Sequence, residues 1–274
     1  MPFGGLRVLS LESRRGADMQ TLILREGGVP FVAPSVKEEA VDGTGAAVQF
    51  IEQLERREFD MVICMTAVGL AVLRDTCAAT MPPERLPAAL RKATIVSRGP
   101  KPVSVLRPLG VGVDVMIPEP NTWREIVSAV AERPERNIAV QEYGRLNTPL
   151  HEALAGLGAK VTPVALYRWE LPDDVQPLRL AVARIATGGC DVVLFTSSVQ
   201  LDHLLAIAGN MSLEAEVRLA LRERLVIGSI GPVMNDALTA EGIQPDIVPR
   251  HPKMWALVKA AAEEAAAALA SKAA

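Results

Sequence analysis

The chain has 274 residues, 49% of them hydrophobic and 22% charged, with 29 Lys and Arg against 32 Asp and Glu. Nearly half the chain is apolar and its 20 Gly and 20 Pro are dispersed, which excludes disorder; the length exceeds the usual single core and favours two domains. A formal net charge of −3 excludes a non-specific nucleic-acid binder, which needs a basic excess to neutralise phosphates.

From the N-terminus, the strand candidates are Leu6–Leu11, Val29–Val36, Asp60–Met65, Thr94–Ser97, Val113–Ile117 and Asn137–Gln141. Val161–Tyr167, Asp191–Thr196, Leu225–Ser229 and Asp246–Val248 complete the series, with amphipathic stretches between most of them. Such alternation predicts an α/β fold with parallel sheets. No apolar segment precedes Arg7, and Glu12, Arg14 and Arg15 follow closely, so no secretory signal is expected and the cytoplasm is the expected location. The longest apolar run, Met61 to Leu73, has 13 residues, short of the ~20 of a membrane span, and no membrane partner is expected. The Ala-rich tail from Ala260 reads as a terminal helix that frays, or as the stub of a linker to a partner.

Two halves of the chain match at a nearly constant offset. Asp60–Val68 (DMVICMTAV) lines up with Asp191–Val199 (DVVLFTSSV) at 131, and Ser97-Arg98-Gly99-Pro100 with Ser229-Ile230-Gly231-Pro232 at 132. Gly110, Asp114, Pro120 and Trp123 meet Gly242, Asp246, Pro252 and Trp255 at 132, while Glu12, Arg15, Leu24 and Gly28 meet Glu142, Arg145, Leu154 and Gly158 at 130. Positions that keep their order over this length indicate an internal duplication of one α/β unit of ordinary domain size. Val29–Val36 and Val161–Tyr167 hold equivalent places and carry Pro30, Pro34 and Pro163, which suit edge or connecting strands. If they are linkers, one domain is built from both ends of the chain.

Cys64, Cys77 and Cys190 are too few and scattered for a zinc cluster or a redox pair, and His151, His203 and His251 lack ligand spacing, so buried free thiols and no metal are expected. Small polar residues stand where strands run into helices, at Met65-Thr66-Ala67 and Thr196-Ser197-Ser198. The turns Ser97–Lys101 and Ser229–Pro232 carry Gly99 and Gly231. Backbone N–H groups and helix dipoles at such turns favour anions, Gly permits close approach by a ligand, and Pro starts the helix. Plain N-capping is the alternative. Arg14, Arg15, Arg98, Lys101 and Arg145 follow strand ends and suit carboxylates, the alternative being solvated surface charge. Tyr143 and Tyr167 are the only tyrosines; Tyr167 is a candidate proton donor or a packed, hydrogen-bonded side chain, and Arg168 and Trp169 beside it read as structural. The chain carries no GxGxxG, GxxxxGK[ST] or GxSxG motif, so no dinucleotide, phosphate-loop or triad chemistry is expected.

Taken in order and spacing, Arg7–Arg15 (RVLSLESRR), Asp60–Leu70, Val96–Gly110 (VSRGPKPVSVLRPLG), Gln141–Leu157 leading into Val164–Arg168 (VALYR), Asp191–Val199 and Ile227–Gly242 (IGSIGPVMNDALTAEG) resemble the uroporphyrinogen III synthase family over essentially the whole chain. The resemblance implies two similar α/β domains with parallel sheets, joined by a two-stranded connector, with a cleft between them. Residues 1–34 plus 171–274 would form a discontinuous domain, 38–162 an inserted one, and 29–37 and 161–170 the connecting strands. It further implies a cofactor-independent lyase that cyclises the linear tetrapyrrole hydroxymethylbilane to uroporphyrinogen III, losing water and inverting the last pyrrole ring through a spiro intermediate. By position, Tyr167 matches the family's connector tyrosine and would assist hydroxyl departure. Thr196 and Ser197 match a Thr-Ser pair, and Thr66 takes the equivalent place in the other half. With Arg98, Gly99, Lys101, Ser198 and Gly231 they would anchor the substrate's carboxylates, with Arg14, Arg15 and Arg145 as charge partners. Met65, Val68, Val233, Met234 and Lys253 depart from the family pattern. These departures leave room for a non-catalytic ligand-binding or regulatory paralogue; a sugar- or nucleotide-using transferase is a further rival, disfavoured by the missing phosphate loop. A monomer is the simpler expectation.

Overall fold

The computed structural model describes residues 2–41 and 44–272. Its strands are β1 (Arg7–Ser10), β2 (Val29–Val32), β3 (Lys37–Ala40), β4 (Met61–Cys64), β5 (Thr94–Ser97), β6 (Val115–Met116), β7 (Asn137–Gln141), β8 (Lys160–Val164), β9 (Tyr167–Glu170), β10 (Val192–Phe195) and β11 (Val226–Ser229). The sequences MVIC of β4 and VVLF of β10 lack polar alternation, and every residue in them is buried. Strands of this kind need cover on both faces, which parallel sheets with helical crossovers supply.

The chain divides into two compact units. The first runs up to Lys37 and resumes at Glu170. Its parallel sheet has the order β11-β10-β1-β2. Val193 and Phe195 of β10 enter one core, with Leu178, Val182, Leu204 and Val217 from the helices Gln176–Ala186, Ser198–Asn210 and Glu214–Leu219. Val192 and Leu194 enter the opposite core with Met19, Ile23, Leu257 and Ala261, from the helices Gly16–Arg25 and Met254–Lys272. The second unit, Glu38–Trp169, has a parallel sheet of order β6-β5-β4-β7-β8. Here Val62 and Cys64 face one core, Met61 and Ile63 the other.

The duplication extends to register. Met61 pairs with Thr94 across β4 and β5, and Val192 with Val226 across β10 and β11. It extends also to the carboxylates at the strand starts. Asp60 accepts from the backbone N–H of Asn137 at 3.0 Å, and Asp191 from that of Arg7 at 2.7 Å. Asp114 and Asp246 likewise accept from Ile95 and Ile227 at 2.8 and 2.7 Å.

Two expectations are corrected. The segments expected as connecting strands over 29–37 and 161–170 each split. Val29–Val32 and Lys160–Val164 are edge strands of the two large sheets, where Pro30 and Pro163 cost no interior ladder bond, and the separate two-stranded sheet is Lys37–Ala40 with Tyr167–Glu170. The tail does not fray within the described residues: its helix runs to Lys272, buries Ala262 and Ala265, and ends with Lys272 Nζ 2.7 Å from Asp246. No helix among the described residues is long and apolar enough to cross a membrane.

Candidate active site

In the second unit β4 ends at Cys64, and Thr66 leaves the strand in an extended conformation to cap the helix Ala67–Thr80. Its Oγ1 accepts from Gly69 N–H at 3.1 Å and stands 3.3 Å from the Tyr167 hydroxyl. Gln141, at the end of neighbouring β7, clamps the same turn: its Oε1 accepts from Thr66 N–H at 3.0 Å and its Nε2 donates to Thr66 Oγ1 at 3.4 Å. Gly69 makes room for that carboxamide, since a Cβ there would lie 2.0 Å from Gln141 Nε2.

Arg98 follows β5, and its guanidinium lies over the Tyr143 ring at 5.5 Å, within cation–π range. Tyr143 in turn meets Trp169 edge to face, with centroids 5.5 Å apart. Gly144 lets the chain close on that indole: its φ is +82°, and a Cβ would sit 2.5 Å from the Trp169 ring. No ion pair joins Arg98 to a carboxylate among the described residues. Although part of its surface stays open, burial dominates at the guanidinium and lowers its pKa, opposed by the Tyr143 and Tyr167 hydroxyls. A half-buried guanidinium of this kind suits an anionic partner.

Glu142, next to Gln141, turns inward. It accepts from Asn147 N–H at 3.2 Å and its Oε1 lies 2.5 Å from His151 Nε2. Burial raises the Glu142 pKa, with His151 acting against it. The pair ties down the loop that carries Tyr143.

The first unit closes the corresponding turn on itself. Gln200 Oε1 accepts from Thr196 N–H at 2.8 Å and from Ser197 N–H at 3.3 Å, and its Nε2 donates to Thr196 Oγ1 at 2.8 Å. Thr196 Oγ1 donates to Glu12 at 2.5 Å. Ser198 is buried. The N–H groups of Thr66, Thr196 and Ser197, expected as carboxylate donors, are thus each engaged by a glutamine oxygen within their own unit.

At the other turns, the hydroxyls of Ser97 and Ser229 donate to the carbonyls of Gly99 and Gly231, at 2.7 and 3.4 Å. Gly99 lies against Asn121, whose Oδ1 would be 2.4 Å from an added Cβ, so its lack of a side chain serves internal packing. Among the basic residues, Arg14, Arg15, Lys101 and Arg145 are exposed, and Arg15 pairs with Asp18 at 2.8 Å. The structure therefore gathers Thr66, Arg98 and Tyr167 in one unit, and places Thr196, Ser197, Ser198 and Gly231 in the other. All three cysteines are buried, and burial pushes the Cys64 thiol up to about 12. Sequence reasoning did not find Gln141, Gln200 or Trp169. A usable signal existed for Gln200: the offset of 131 sets it against Gly69, an amide where the other copy has no side chain.

The family model "Uroporphyrinogen-III synthase HemD" matches residues 17–259. The chain is 26% identical over 261 residues to "Uncharacterized protein YjjA" of Bacillus subtilis (strain 168), covering 93% of this chain and 94% of that one. It is 26% identical over 234 residues to a Methanothermobacter thermautotrophicus protein named "Putative uroporphyrinogen-III synthase", covering 84% and 87%. Among solved structures, a mutant uroporphyrinogen III synthase from the extremely thermophilic bacterium Thermus thermophilus shares the fold, with a TM-score of 0.71 at 23% identity over 93% of this chain and 96% of that one. With the match extending over most of its length, the chain belongs to the uroporphyrinogen-III synthase HemD family.

Proposed function

We propose that the protein is a uroporphyrinogen III synthase that cyclises hydroxymethylbilane with loss of water and inversion of the last ring. The observation that carries this reading is Arg98, a half-buried guanidinium over the Tyr143 ring with no ion pair to a carboxylate among the described residues, in the same unit as the hydrogen-bonded hydroxyls of Thr66 and Tyr167. The cation suits a substrate carboxylate. The Tyr167 phenol suits a departing hydroxyl: the C–O bond breaks with its electron pair on oxygen, which takes the phenol proton and leaves as water. The proton released when the new carbon–carbon bond closes the macrocycle restores the phenol. No strong nucleophile is required, because the open chain is reactive and the protein's task is to hold it in one conformation.

A non-catalytic paralogue is the second reading, favoured by the first unit, where Glu12 and Gln200 occupy the donors of Thr196 and Ser197. One experiment separates the two. Purified protein is mixed with freshly generated hydroxymethylbilane, and the porphyrin isomer is identified after oxidation. Type III product is expected, with Tyr167→Phe lowering kcat about tenfold or more. Type I product alone at the uncatalysed rate would establish the paralogue.

A further inference from the structure

We propose that Thr66 is a positioning residue that fixes the direction of the hydrogen bond at Tyr167: the phenol oxygen accepts from Thr66 and keeps its own proton for another acceptor. This rests on the reading of Tyr167 as the proton-donating group. A threonine hydroxyl has one proton and two lone pairs. Thr66 Oγ1 accepts from Gly69 N–H at 3.1 Å, a bond set by the helix start, and from Gln141 Nε2 at 3.4 Å. The Gln141 carboxamide is oriented by its neighbours. Its Oε1 faces the Thr66 N–H at 3.0 Å while its Nε2 donates to the Glu142 carbonyl, so the flipped form would set oxygen against oxygen and N–H against N–H.

With both lone pairs taken, the remaining contact of Thr66 Oγ1, 3.3 Å from the Tyr167 hydroxyl, must carry the threonine proton. An O–H whose oxygen accepts a hydrogen bond is polarised towards donation. The Arg98 guanidinium, which interacts electrostatically with the Tyr167 hydroxyl, favours the negative charge left as that proton moves. Gln141 therefore acts on Tyr167 through Thr66, and Gly69 admits Gln141.

Thr66→Val keeps the branched shape and removes the donor, whereas Thr66→Ser keeps it. Thr66→Val is expected to lower kcat about tenfold with KM within about twofold, Thr66→Ser to restore turnover, and Thr66→Val to add no loss in a Tyr167→Phe background. A further loss in that background, or a KM change with kcat intact, overturns the assignment. Because valine also deletes an N-cap, a second measurement uses the unaltered protein. Neutron diffraction from deuterium-exchanged crystals should place the Thr66 deuteron on the line to Tyr167, and a Tyr167 deuteron on that line overturns the proposal. This readout is independent of turnover. A wild-type protein that forms no type III product but shows the expected deuteron loses the synthase reading and keeps the hydrogen-bond assignment.

Discussion

At the start of their central strands the two units make the same bonds, Asp60 to the N–H of Asn137 and Asp191 to that of Arg7, with Asp114 and Asp246 repeating the device one strand over. At the strand ends they part. Both hold the turn with a glutamine carboxamide, but in the first unit it comes from the helix, as Gln200, and in the second from the adjacent strand, as Gln141. The offsets set Gly69 against Gln200 and Leu11 against Gln141, so where one copy has the amide the other has a residue without one. Glu12 accepts from Thr196, whereas its counterpart Glu142 pairs with His151. Ile230 packs against apolar core where Arg98 places a half-buried charge that no carboxylate pairs among the described residues. Interactions that fold the unit persist in both copies, and those that cost stability stand in one. That asymmetry is expected where a ligand, absent during folding, later offsets the cost.

The comparison breaks most directly at Arg98. Arg98→Ile gives the second unit the side chain of the first, and should lower kcat/KM about a hundredfold while raising unfolding free energy by about 1–3 kcal/mol. Turnover assays and urea titration read the two signs, and a loss of stability would make Arg98 a folding residue. A smaller effect belongs to the strand-start edge. Burial acts to raise the Glu135 pKa, but hydrogen bonds from Arg133 at 2.7 Å and Thr94 at 2.6 Å hold it down at about 2. A carboxylate depressed in the folded state stabilises above its unfolded pKa and loses that contribution as pH falls through the folded value. Stability should therefore drop between about pH 4.5 and 2 by roughly 2 kcal/mol, allowing for solvent at the part-exposed Arg133, and Glu135→Gln should flatten that slope in pH-resolved denaturation. The smallest effect tests the exchanged glutamines. Gly69→Ala should destabilise by about 1 kcal/mol by evicting Gln141, yet stabilise by a similar amount in a Gln141→Ala background, where the colliding carboxamide is gone and helix propensity remains. Denaturation midpoints that move the same way in both backgrounds would deny that the clamp was transposed.

The central strands were legible because apolar runs such as VVLF admit no solvated face, and the duplication because it preserved aspartates and glycines that hold strand starts and turns. The connector was displaced in the sequence reading because proline marks an edge strand as readily as a linker. Arg14, Arg15, Arg98, Lys101 and Arg145 looked alike, since proximity to a strand end says nothing of burial, and in the structure Arg98 is half-buried while the other four are exposed. Trp169 read as structural because its meeting with Tyr143 depends on contacts distant in sequence.

The last helix sets a practical limit on trimming the chain. The family match ends at residue 259, yet Ala261, Ala262 and Ala265 beyond it seal one face of a sheet, and Lys272 holds Asp246, which in turn fastens β11 through Ile227. A protein cut at the family boundary would lose that lid, leaving Val192, Leu194 and Val226 under an incomplete cover and prone to aggregate. For expression, fusion or labelling, the usable C-terminal junction lies after Lys272.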